Sequence, residues 1–124
     1  MPGRKVDTAL RRVRGICARL ADVEERPSHG APTFFRKMQG KKPFVMFHDD
    51  HHGDGRLAIW CRAAEGVQAQ LVEEEPDRFF VPPYVGHQGW VGVRLDRDVD
   101  WDEVAAIIGD GFTAAAASTR ARSR

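Results

Sequence analysis

The chain has 124 residues, 42% of them hydrophobic, and a net charge of +1. That length suits one domain with its own core, and the near-neutral balance excludes the uniformly basic profile of a dedicated polyanion binder. Cys17 and Cys61 are the only cysteines and form no CxxC pair, which argues against a disulfide framework or a zinc ribbon and fits a reducing compartment. No apolar h-region follows the polar start MPGRKVDTAL and no run reaches membrane-spanning length, so the expectation is a cytoplasmic protein.

Val6, Leu10, Val13, Cys17 and Leu20 recur at three- and four-residue steps, predicting an amphipathic helix over about 7–22. Its outer face is basic, with Arg4, Lys5, Arg11, Arg12, Arg14 and Arg19. Glu25-Arg26-Pro27-Ser28 breaks the pattern. Strands are predicted at Thr33–Lys37, Pro43–Phe47 and Arg56–Arg62, with a tight turn at Gln39–Lys42 and a polar loop at His48–Gly55. Glu65–Glu75 reads as a helix with Val67 and Leu71 facing inward, ended by Pro76. Trp90–Leu95 alternates as a strand should.

Asp100-Trp101-Asp102-Glu103 has the form of a capping box, and Val99 and Val104 that of a hydrophobic staple. Trp101, Val104, Ile108 and Phe112 continue at helical spacing, while Gly109 and Gly111 weaken the helix by ~1 kcal/mol each against alanine. Residues 118–124 read as a frayed, disordered basic tail. The sum is a single α+β domain over 1–124, a two-layer sandwich. An antiparallel sheet packs against N- and C-terminal helices, in the order α-β-β-β(-β)-α-β-α.

His48-Asp49-Asp50-His51-His52-Gly53-Asp54 supplies metal-ligand residue types, but adjacent His51 and His52 diverge and nothing distant completes four ligands. A hydrophilic hairpin tip is the expectation, with no metal. Cys61 lacks a sequence partner for nucleophilic chemistry and reads as a small buried apolar residue. Ser28-His29 has no GxSxG context, and neither GxGxxG nor GxxxxGK[ST] occurs. No enzymatic activity and no cofactor are expected.

Asp77–Leu95, DRFFVPPYVGHQGWVGVRL, is the most unusual stretch. Its prolines stiffen the backbone, its glycines allow close approach, and Tyr84, His87 and Trp90 offer flat surfaces with polar tips. Such a segment can stack on bases, grip a small ligand, or simply fill the core. Arg36, Lys37, Lys41 and Lys42 form a basic hairpin able to contact phosphates without reading sequence.

With VEERPSHGAPTFFR, EEEPDRFFVPPYVGHQGWVGVRLD and VDWDEVAAII, the chain resembles the MmcQ/YjbR family over nearly its whole length. It departs near the end, where Gly109, Gly111 and an alanine run replace longer side chains. The resemblance implies a CyaY-like, or frataxin-like, α+β fold and DNA binding through a double-wing arrangement of β-hairpins. Frataxin-type iron handling uses an acidic first helix; this one is basic, so iron is not carried over.

The expected function is therefore DNA binding. Arg36, Lys37, Lys41 and Lys42 would meet phosphates, and Tyr84, His87, Trp90 and Arg94 would contribute from the glycine-rich segment. The alternative is a small-molecule- or protein-binding module without catalysis, using a pocket near Tyr84–Trp90. A monomer is the expected state.

Overall fold

The computed structural model describes residues 2–122, of which the side chains of 2–4, Gln39 and 117–122 lie outside the description. Within them the order is α1 (Pro2–Ala18), β1 (Val23–Ser28), β2 (Ala31–Arg36), α2 (Met38–Lys41), β3 (Lys42–Asp49), β4 (Leu57–Cys61), α3 (Val67–Glu74), β5 (Phe79–Phe80), β6 (Val91–Arg94) and α4 (Trp101–Arg122). The strands form one antiparallel sheet in the order β1-β2-β3-β4-β6-β5. The fold is thus α+β, with the sheet packed against its first and last helices. Among the described residues no helix is long and apolar enough to cross a membrane.

The stretch expected to break the chain, Glu25–Ser28, is instead most of β1. Proline removes a ladder donor, so Pro27 is tolerable only at a sheet edge, and β1 is an edge strand pairing with β2 alone. The tight turn at Gln39–Lys42 is one helical turn, α2, after which Lys42 already begins β3. Helix α1 starts earlier than its apolar stripe suggests and ends at Ala18, before the left-handed turn at Asp22 (φ 70°). Helix α4 carries the backbone to Arg122, whereas fraying was expected from Ser118. The side chains of that basic tail, Arg120, Arg122 and Arg124 among them, lie outside the described residues, as does that of Arg4.

Period-two alternation sorts the strand residues into two clusters. Val45, Phe47, Leu57, Ile59, Cys61, Val91 and Val93 face the helices and pack with Val13, Cys17, Val104 and Ile108. Ala58, Trp60, Phe80 and Trp90 form a second, smaller cluster, joined by Met46 and Val85. Strand β4 is buried along its whole length because both faces are covered, as an unbroken apolar run requires. A register shift pairs Phe34 with Val45 and Phe35 with Pro43, leaving Phe44 as a bulge. The bulge sends both Phe44 and Val45 into the main core, where Phe44 meets Phe112 edge-on at 5.4 Å.

Two close approaches set the geometry around the second cluster. Gly92 sits opposite Phe80, whose ring occupies the space a Cβ would need. Gln68, on α3, donates to the carbonyls of Gly86 at 2.8 Å and Trp90 at 2.6 Å, pinning residues 86–90 to that helix. Asp100 caps α4 as expected, its Oδ1 accepting from the amides of Asp102 and Glu103. Glu103 accepts a bond from Arg78.

Candidate ligand-binding cleft

A cavity of about 440 Å³ opens on the sheet face opposite the helices, lined by Ser28, His29, Met46, His48, His51, His52, Trp60, Tyr84 and Val85. Five stretches of chain meet there. Ser28 and His29 come from the β1–β2 turn, Met46 and His48 from β3, and His51 and His52 from the turn after β3. Trp60 comes from β4, and Tyr84 and Val85 from the segment before β6. Met46 pairs with Trp60 and His48 with Ala58 across the sheet, so alternation places Met46, His48 and Trp60 on one face.

His51 is the hub of the aromatic contacts. Its ring lies 4.8 Å from His48, 4.7 Å from Trp60, 4.2 Å from His52 and 5.9 Å from Tyr84. His48 in turn lies over Trp60 at 3.8 Å. Burial, followed by the neighbouring His51, lowers the His48 pKa to about 4, with Asp54 opposing, so its imidazole is neutral near pH 7. Trp60 is only 3% exposed, yet among the described residues its Nε1 finds no hydrogen-bond partner, and neither does the buried Nε2 of His48. Tyr84 is 69% exposed.

The rim is built from strained backbone. Among the described residues six non-glycine positions have positive φ, and His29 (53°), Asp50 (57°), His52 (49°) and Tyr84 (67°) all lie at this cavity or beside it. Each such residue costs about 1–3 kcal/mol, and strain of this kind gathers at binding sites. The turn is held by its acids: Asp50 Oδ1 accepts from the Gly55 amide at 2.7 Å and Asp54 Oδ1 from the Arg56 amide at 2.9 Å. The His48–Asp54 run is therefore a folded turn whose imidazoles meet edge to face. Among the described residues no three His, Cys, Asp or Glu side chains are placed to hold a metal.

The eight residues expected to contact DNA do not form one surface. Arg36 is part-buried, donating to the Phe112 carbonyl at 2.9 Å and lying 4.1 Å over its ring. Lys37 pairs with Asp22 at 3.5 Å. Arg94 makes a two-pronged bond to Asp96, both contacts 2.9 Å, which holds that carboxyl below its usual pKa. Trp90 is 1% exposed and is core, with no face free for stacking.

Lys41, Tyr84 and His87 are exposed, and Lys42 half-buried. Lys42 opens β3, whereas His48, which shares the cavity with Tyr84, lies near its other end, a strand length of about 23 Å. Cys61 is fully buried, and desolvation raises its thiol far above the ordinary range, while Cys17 is pushed up to about 12 for the same reason.

Sequence reasoning found Tyr84 but missed the partners that give it a site. The available signal was the alternation of Met46 and His48 with Trp60 across a predicted hairpin.

A family model described as YjbR matches residues 18–114. The chain belongs to the YjbR family. The matched region takes in all the cleft residues, from Ser28 to Val85, and omits nearly all of the basic helix α1. No curated protein and no solved structure matched the chain.

Proposed function

We propose that this YjbR-family protein is a small-molecule-binding module whose site is the histidine–aromatic cleft. The observation that carries the reading is the convergence of five stretches of chain, three of them strained at the rim, on a cavity lined mainly by aromatic and imidazole rings. A volume of about 440 Å³ falls in the range of ligand pockets, which are concave, largely apolar and furnished with a few polar groups. A screen of metabolites and fragments by thermal shift tests the reading, followed by amide chemical-shift mapping of any hit. A hit that moves the His48–His52 and Tyr84–Val85 amides supports it. Hits that map only elsewhere, or none from a broad screen, overturn it.

One observation favours a second reading, DNA binding. Arg11 and Arg19 are exposed on α1 and Lys41 on α2, the first two beside Arg12 and Trp101 in an open groove between α1 and α4. Those cations lie on the helix layer, on the opposite side of the sheet from Tyr84, so phosphate contact there and ring stacking at Tyr84 belong to separate surfaces. Fluorescence anisotropy across a salt series tests it. Binding that weakens steeply with salt, with a shallower slope in Arg11→Ala/Arg19→Ala, supports DNA contact. No binding to single- or double-stranded DNA at low salt removes it.

A further inference from the structure

We infer that the cleft takes a flat, uncharged aromatic or heteroaromatic molecule of one or two rings, held between Tyr84 and the floor made by Trp60 and His48. This rests on the ligand-binding reading above and adds the chemical class.

Charge comes first. Among the described residues no Asp, Glu, Lys or Arg lines the cavity. A charged ligand would leave water there without a full counter-charge, and an unpaired charge is costly to bury. Surface character comes second. Trp60, Tyr84 and four imidazoles present flat π faces, with the polarizable thioether of Met46 beside them. A saturated ligand of equal volume would lose the ring-on-ring geometry that such walls reward.

Two unmade hydrogen bonds come third. Trp60 Nε1 and His48 Nε2 are buried without partners among the described residues, and both rings border the cavity. Indole N–H is a donor only, so the missing partner of Trp60 is an acceptor. A ring nitrogen or carbonyl at the ligand's edge supplies one. His51 packs against both rings and is itself only partly buried, so it is the side chain that turns aside to open the way.

Tyr84 is the outer jaw. Its ring is mostly exposed while its backbone is held left-handed, so the side chain waits at the rim with apolar surface still to bury. Its near contact across the cleft is the His51 ring.

The test uses the full chain labelled with ¹⁵N, titrated with indole, adenine and quinazolin-4-one. Cyclohexanol serves as the saturated comparator, indole-3-carboxylate as the charged one, and a short oligo(dA) as the nucleic-acid source of the same ring. Saturable shifts of the Trp60 indole N–H and of the His51, His52 and Tyr84 amides are expected with the flat neutral rings, while the Trp101 indole, on the helix layer, stays still. Tyr84→Asn removes the ring and keeps a residue tolerant of left-handed φ, so folding is retained. Affinity should fall roughly 2- to 12-fold, the worth of one aromatic pair.

Cleft shifts with cyclohexanol or indole-3-carboxylate, but with none of the flat neutral rings, overturn the class and leave the ligand-binding reading standing. Binding of oligo(dA) at the cleft where free adenine gives no shift overturns a free molecule as the occupant. Absence of cleft shifts with every probe, together with a blank broad screen, removes both readings.

Discussion

Replacing Gly109 and Gly111 by alanine, one at a time, should move stability in opposite directions. Both lie inside α4 and neither has positive φ, so propensity alone favours alanine at each by ~1 kcal/mol. At Gly109 a Cβ meets nothing within 4 Å among the described residues, so Gly109→Ala should gain most of that amount. At Gly111 the same Cβ would stand 2.5 Å from the Arg62 carbonyl oxygen and 2.9 Å from Cys61 Sγ. A carbonyl anchored at the end of β4 cannot rotate away, so the helix must retreat by about 1 Å from the sheet it covers. Overpacking of this kind costs about 1–3 kcal/mol, which outweighs the propensity gain, and Gly111→Ala should lose about 1–2 kcal/mol.

For a chain of this size 1 kcal/mol corresponds to ~4 °C in Tm. Urea unfolding and thermal melts on the two variants check the pair. Stabilisation by Gly111→Ala, or an equal loss from both, would refute the view that α4 touches the sheet backbone at that one glycine.

Further outcomes follow from the cleft and its supports. His48 binds its proton in the unfolded chain near pH 6.5 but in the native protein only near pH 4, so stability is lost as pH falls through that window. The full shift corresponds to about 3 kcal/mol, which water's access to the half-buried ring reduces to about 1–2 kcal/mol. His48→Gln should flatten the curve between pH 7 and 4 by that amount, and unchanged curvature would contradict the burial of a neutral imidazole. Gln68→Ala leaves the Gly86 and Trp90 carbonyls without their donor and should cost about 1–3 kcal/mol. Hydrogen exchange at 86–90 should accelerate with it, and protection as in the parent would sink the clamp. Gly92→Ala drives a Cβ into the Phe80 ring and should destabilise by about 1–3 kcal/mol. In a double-mutant cycle, Phe80→Leu should recover part of that loss.

Local signals carried much of the fold. The RLAIWCR run announced a strand, and DWDE placed the start of α4 through a cap that the Asp100 carboxylate makes. Edge strand β1 was hidden because protection of an edge uses charge and proline, the same features that mark a loop in sequence. The cleft was less legible for a different reason. Ser28, His48, Trp60 and Tyr84 come from distant parts of the chain, and only the strand register makes them neighbours. Arg36 and Arg94 looked available because Phe112 and Asp96, which engage them, are set by packing and by a turn. Trp90 looked like a platform because nothing local announces that Arg62 lies over one side of it and that it belongs to a closed cluster.

The alternation of β3 and β4 has a consequence for engineering. Residues that hold the fold together (Val45, Phe47, Ile59, Cys61) and residues that shape the cleft (Met46, His48, Trp60) are interleaved one by one along the same two strands, yet they face opposite sides. The cleft lining can therefore be varied at His48, His51 and Tyr84 without any change to the side chains that pack on the helices. Trp60 and Met46 are the exceptions, since each belongs both to the second cluster and to the cleft. A library varied at those three positions, with Trp60 and Met46 kept, would probe the proposed ligand reading on an intact scaffold.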